Sequence, residues 1–123
     1  MTGTPATDSR LPETLRSAVA AAEDRKARDL RALDLSRVSD FTDYFVVCSG
    51  RSERQVGAIA EGVQEALAAL GVKPLHVEGL PAARWVLLDY GDIVVHVFEE
   101  ETRSFYGLEK LWSDAPEVTA ELH

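Results

Sequence analysis

The chain holds 123 residues, 46% of them hydrophobic, with 21 acidic against 13 basic side chains and a formal charge of -8. That length suits one domain with one core, and the acid excess disfavours charge-driven binding to phosphate backbones while fitting a basic protein partner. The single cysteine excludes an internal disulfide or a thiolate zinc site, and no apolar run approaches the roughly 20 residues that span a bilayer, so a cytoplasmic protein without a membrane partner is expected.

Residues 1–10 contain Gly3 and Pro5 and few large apolar side chains, which predicts a flexible tail ahead of a domain over 11–115. Pro12 suits a first helical turn, and Leu11, Leu15, Val19 and Ala22 recur at helical spacing, so a first amphipathic helix is predicted that frays near Arg25 to Arg28. Asp29 to Leu35 is read as a strand on weak alternation, although its propensity also permits more helix. Ser36 to Thr42 reads as a loop. Tyr44 to Cys48 is an aromatic and β-branched run with apolar residues on both faces, as in an interior strand.

Ser52 stands three residues before Gln55, a capping-box spacing, and Val56, Ile59, Ala60, Val63, Ala66, Leu67 and Leu70 form one helical stripe. Gly71 is placed to end that helix in a left-handed cap. Leu75 to Glu78, Arg84 to Asp89 and Asp92 to Phe98 are strand candidates, and a short helix is expected from about Thr102 to Leu111, with 116–123 as a C-terminal tail. The fold class is therefore α/β (α+β), a mixed sheet of about five strands with two larger helices on one face and a short C-terminal helix.

The last two strands carry most of the functional signal. A two-residue turn at Tyr90 and Gly91 would pair Asp89 with Asp92, Leu88 with Ile93, Leu87 with Val94, Val86 with Val95 and Trp85 with His96. Alternation then puts Val86, Leu88, Ile93, Val95 and Val97 on one face and Trp85, Leu87, Val94, His96 and Phe98 on the other. The first set reads as core. The second mixes aromatic side chains with aliphatic ones and is bordered by Asp89, Asp92 and Glu99 to Glu101, the composition of a protein-binding hot spot. A second half of the core is the rival reading; two sizeable helices are few for covering both faces of five strands, which favours an open face.

Other chemistry is less well supported. Asp89 and Asp92 resemble paired carboxylates for magnesium, yet aspartates flanking a glycine turn are ordinary turn chemistry. Cys48-Ser-Gly-Arg-Ser52 leads from a strand into a helix N-terminus but lacks the lysine and repeated glycines of a phosphate loop. Cys48 lies in an apolar strand with nothing to lower its pKa, so pairing it with His96 or His76 as nucleophile and base is set aside. Tyr106, Leu108 and Trp112 read as docking the last helix onto the sheet edge.

Thr42-Asp-Tyr-Phe-Val-Val-Cys-Ser-Gly50, Val77-Glu-Gly79, Trp85-Val-Leu-Leu-Asp-Tyr-Gly-Asp92, Val94-Val-His-Val-Phe98 and Glu100 to Trp112 together resemble the ribosomal silencing factor family, also called Iojap-like proteins. The resemblance runs from about Ala18 to Ala115. It implies a nucleotidyltransferase-like α/β core without established transferase activity, and a translation inhibitor that binds the large ribosomal subunit through ribosomal protein fourteen and blocks small-subunit joining. Homodimers are associated with the family. By motif position its partner contact corresponds here to Trp85, Asp89, Tyr90 and their neighbours. The full contact set expected from hairpin and resemblance is Trp85, Leu87, Asp89, Tyr90, Gly91, Asp92, Val94, His96, Phe98, Glu99, Glu100, Arg103 and Tyr106, with no catalytic residue, metal or cofactor. A metal-dependent nucleotidyltransferase-like enzyme, built on Asp89 and Asp92, is the alternative.

Overall fold

Pro12 opens helix α1 (Glu13–Asp24), where its missing N–H costs nothing and its carbonyl accepts from Arg16 N at 3.2 Å. The computed structural model describes residues 11–80, 82–106 and 115–122, with 104–106 described by backbone alone. The apolar stripe of α1 buries Leu15, Ala18, Val19 and Ala22. The helix ends where Ala27 N reaches back to Ala22 O and Lys26 N to Glu23 O, with Lys26 at φ 67. That left-handed residue carries a Cβ and is strained, and the Gln55 side-chain amide holds it by donating to Arg25 O and Lys26 O at 3.3 and 3.0 Å. Once the chain has turned there it cannot continue as helix. The next segment is strand β1 (Arg28–Asp34), close to the strand read from the sequence.

Strand β2 (Tyr44–Gly50) leads into helix α2 (Glu53–Ala69). Ser52 is its N-cap and accepts from Gln55 N at 3.2 Å, while Gln55 Oε1 accepts from Arg51 N at 2.7 Å, so the box closes one residue earlier than the ideal pattern. At the other end Gly71 takes φ 78, and Val72 N and Gly71 N bond to Leu67 O and Ala68 O, the expected left-handed cap. Strands β3 (His76–Glu78), β4 (Trp85–Asp89) and β5 (Ile93–Glu99) follow, then helix α3 (Glu100–Tyr106). This helix starts two residues before the expected Thr102. Glu99 caps it, accepting from Glu101 N at 3.2 Å and from Thr102 N at 3.4 Å. Leu108 and Trp112 fall outside the described residues.

The five strands form one mixed sheet in the order β1-β2-β5-β4-β3. Only β2 and β5 run parallel, with α2 in the crossover between them. Helices α1 and α2 cover one face, where Val46, Cys48, Val86, Leu88, Ile93, Val95 and Val97 meet the apolar stripes of both helices. Each such aliphatic side chain contributes about 1.5–3 kcal/mol on leaving water. Cys48 is fully buried in this layer and its thiol is pushed up to about 12 by desolvation, as befits a structural cysteine. Among the described residues no helix is long and apolar enough to cross a membrane.

The residues expected to be a C-terminal tail run along β1 instead. Asp34 N donates to Pro116 O and Val118 N to Ala32 O, both at 2.8 Å, and Val118 and Leu122 pack against the core. A polar edge strand is thereby covered by a short returning segment, with Thr119–Leu122 forming a 3₁₀ turn.

A candidate docking surface around Trp85

The β4–β5 hairpin differs from the expected one by two residues. Trp85 faces Phe98, Val86 faces Val97, Leu87 faces His96, Leu88 faces Val95 and Asp89 faces Val94. The cause lies in the turn. Asp92 does not pair with Asp89, because its carbonyl is taken by Asp43 N and Tyr44 N at 3.0 Å each, and Tyr90 N closes the turn on Ile93 O at 2.9 Å. Asp89 Oδ1 accepts from Gly91 N at 2.8 Å, and Gly91 has φ 91. A slip of one residue would have exchanged the faces; a slip of two preserves them.

Val86, Leu88, Ile93, Val95 and Val97 are indeed fully buried beneath the helices. The opposite face is more closed than expected. Phe98 is fully buried with Leu33 and Val47, and Phe45 and Ala115 pack against them. His96 and Val94 are also buried, whereas Leu87 is half-buried and Trp85 is 37% exposed. Trp85 is therefore the one aromatic side chain of this hairpin face that reaches solvent.

It is held there by its neighbours. The indole Nε1 donates to His96 Nδ1 at 3.2 Å, and the Trp85 and Phe98 ring centroids lie 4.9 Å apart. His96 in turn stacks on Phe98 at 6.1 Å and takes Phe45 edge-on at 4.6 Å. Accepting at Nδ1 fixes the neutral tautomer with its proton on Nε2. The chain also passes unusually close to the Trp85 backbone: Gly79, at φ 87, lies against the Trp85 carbonyl where no Cβ would fit.

Burial lowers the His96 pKa to about 4 from an ordinary 6.5. Between those values the unfolded chain binds a proton that the folded chain refuses, so the contribution of His96 to stability is complete above pH 6.5 and falls with pH until about pH 4. The loss from pH 7 to pH 5 should be about 2 kcal/mol. Urea unfolding at the two pH values checks it, with His96→Phe expected to lose that component. Equal pH dependence in the two proteins would show that His96 does not couple to folding.

Beside Trp85 an open groove of about 710 Å³ runs between the starts of α2 and α3, with Ser52 and Glu53 on one side and Glu101 and Thr102 on the other. Arg84 at its mouth pairs with Glu53 at 3.3 Å, an exposed pair that contributes little to stability. Sequence reading did not assign Arg84, Glu53 or Ser52 to this surface. They come from a helix start and a strand start that only the fold brings together.

Several expected contact residues have other duties. Arg103 is buried, and its guanidinium donates to Asp29 O at 2.9 Å and Ser49 Oγ at 2.8 Å, stapling α3 to β1 and β2. Tyr90 belongs to the core beneath the helices, so it offers a partner no ring face. Glu99 caps α3, and Glu100 pairs with Arg28 at 3.3 Å. The Tyr106 side chain lies outside the described residues. Trp85, Leu87, Asp89, Gly91 and Asp92 retain accessible surface. Among the described residues no group of three or more His, Cys, Asp or Glu side chains is arranged to hold a metal ion.

The family profile described as ribosomal silencing factor during starvation matches residues 8–123. The Bacillus subtilis protein named ribosomal silencing factor RsfS is 48% identical over 102 residues, 83% of this chain and 86% of its own length. A mouse protein named mitochondrial assembly of ribosomal large subunit protein 1 is 34% identical, aligned over 71% of this chain and 40% of the mouse protein. A crystal structure from Bacillus halodurans superposes with a TM-score of 0.78 at 44% identity, covering 86% of this chain and 96% of that one.

Proposed function

The chain belongs to the ribosomal silencing factor family, and from that premise we propose that it is a cytoplasmic translation repressor that docks on the large ribosomal subunit through ribosomal protein fourteen and sterically blocks small-subunit joining. The observation that carries the docking site is Trp85. A large amphipathic ring, partly exposed and fixed by a hydrogen bond and ring packing on its inner side, needs little further ordering to bind, which is what a hot spot requires. The net charge of -8 favours encounter with a basic ribosomal protein. The name of the mouse relative, which refers to assembly of the large subunit, points the same way.

No catalysis is part of this reading. Asp89, one of the two aspartates of the alternative metal reading, spends a carboxylate oxygen on the turn amide of Gly91. Calorimetry with isolated ribosomal protein fourteen tests the partner: saturable binding is expected for the wild type and a marked loss for Trp85→Ala. If the wild type shows no binding, ribosomal protein fourteen is not the receptor.

A further inference from the structure

One end of the sheet presents apolar side chains that the core does not use. Phe41 is 93% exposed, Leu75 75% and Val38 59%. The loop carrying Val38 and Phe41 is held against the β4–β5 turn by the two bonds from Asp43 N and Tyr44 N to Asp92 O, and Leu75 N bonds to Asp89 O at 2.7 Å on the other side of that turn. Phe41, two residues before Asp43, and Leu75 therefore lie on opposite sides of Tyr90 to Asp92, with Val38 farther back on the Phe41 loop. This is the opposite end of β4 from Trp85, about 13 Å along the strand.

The loop is built to hold Phe41 outward. Val38 N and Ser39 N both bond to Leu35 O, at 3.0 and 2.9 Å, and Phe41 N donates to Ser39 Oγ at 3.1 Å. Asp34 fastens the loop's start by accepting from Ser36 N at 2.9 Å and Ser36 Oγ at 2.6 Å. An aromatic side chain on a hydrogen-bonded turn can be buried by a partner with little loss of backbone freedom.

Charge selects the partner. Residues 34–43, 73–75 and 89–92 together contain five aspartates, Asp34, Asp40, Asp43, Asp89 and Asp92, against the two cations Arg37 and Lys73. Such a rim repels nucleic acid, and it equally repels a second copy of a chain whose charge is -8. It suits a basic protein surface with an apolar depression.

We propose that Phe41, with Val38 on its own loop and Leu75 across the β4–β5 turn, is a second anchor that seats on a basic protein surface of the large ribosomal subunit while Trp85 engages at the other end of the hairpin. This rests on the docking reading above. Two-point attachment would fix the orientation of the factor, which a single anchor leaves free to rotate.

The test is co-sedimentation with purified large subunits, using wild type, Trp85→Ala, Phe41→Ser and the pair Asp40→Asn with Asp43→Asn. Because Phe41 is almost wholly exposed, Phe41→Ser should keep the wild-type unfolding midpoint yet bind at least about tenfold more weakly. The double asparagine variant should bind more weakly at low salt and lose part of the salt dependence. Wild-type affinity in Phe41→Ser alongside weakened binding in Trp85→Ala overturns the second anchor and leaves the docking reading standing. Absence of wild-type binding removes both. If Phe41→Ser instead dissolves a dimer and leaves subunit binding intact, the occupant is a second copy and the proposal is wrong.

Discussion

Trp85→Ala should weaken binding to large ribosomal subunits by about 2 kcal/mol or more, close to thirtyfold in Kd. The indole is the exposed cap of a ring cluster whose inner members, His96 and Phe98, are buried. Truncation therefore removes the surface that a partner would cover while leaving the floor of the cluster in place. Trp85→Phe separates two contributions, because it keeps a ring over Phe98 but loses the Nε1 bond to His96 that fixes the plane of the indole. It should fall between wild type and Trp85→Ala. Equilibrium binding by fluorescence anisotropy, with thermal unfolding run on the same samples, reads both affinity and fold. Unchanged affinity in a folded Trp85→Ala protein would remove this residue from the interface.

A second large effect is expected at Arg103, on stability. Replacing it with methionine should cost about 3 kcal/mol, because the guanidinium satisfies the Ser49 hydroxyl and the Asp29 carbonyl through charge-assisted bonds inside the protein. Asp29 itself has φ 49, and β1 is irregular between Arg28 and Arg31, so this carbonyl lies where the regular ladder is interrupted. Losing the staple should loosen α3 from the sheet. Urea denaturation of wild type and Arg103→Met measures the change. A loss under about 1 kcal/mol combined with a fall in subunit affinity would instead return Arg103 to the contact surface, the role its sequence position suggested.

The contrast between Trp85 and Arg103 shows what the sequence could convey. The two faces of the hairpin were legible because side-chain alternation has period two, and the observed slip of two residues leaves every side chain on its expected side. The slip itself was hidden, since it depends on Asp92 being drawn to the start of β2, a contact between segments nearly fifty residues apart. Helix α2 was legible at both ends because Ser52, Gln55 and Gly71 act locally. The burial of Arg103 was not legible for the opposite reason: its acceptors, Asp29 O and Ser49 Oγ, come from β1 and β2, far away in the chain.

Phe41 shows the same limit from the other direction. In Ser39-Asp-Phe-Thr-Asp43 its neighbours announce a loop, but an aromatic in a loop usually folds back onto the core, and only the hydrogen bonds of 35–41 show that this one does not. Pro116 to Leu122, expected to be a tail, offers Val118 and Leu122 as its apolar content; the pairing with β1 that places them on the core is non-local. The half-closed second face belongs here too, because burial of His96 and Phe98 depends on side chains from separate segments.

The most direct test of the repressor reading is subunit joining itself. Purified large subunits are incubated with the protein, small subunits are added under conditions that favour association, and the particles are resolved on a sucrose gradient. The wild type should keep the subunits separate in proportion to its occupancy of the large subunit, and Trp85→Ala should require a far higher concentration for the same effect. Saturating wild-type occupancy with undiminished joining would contradict steric exclusion.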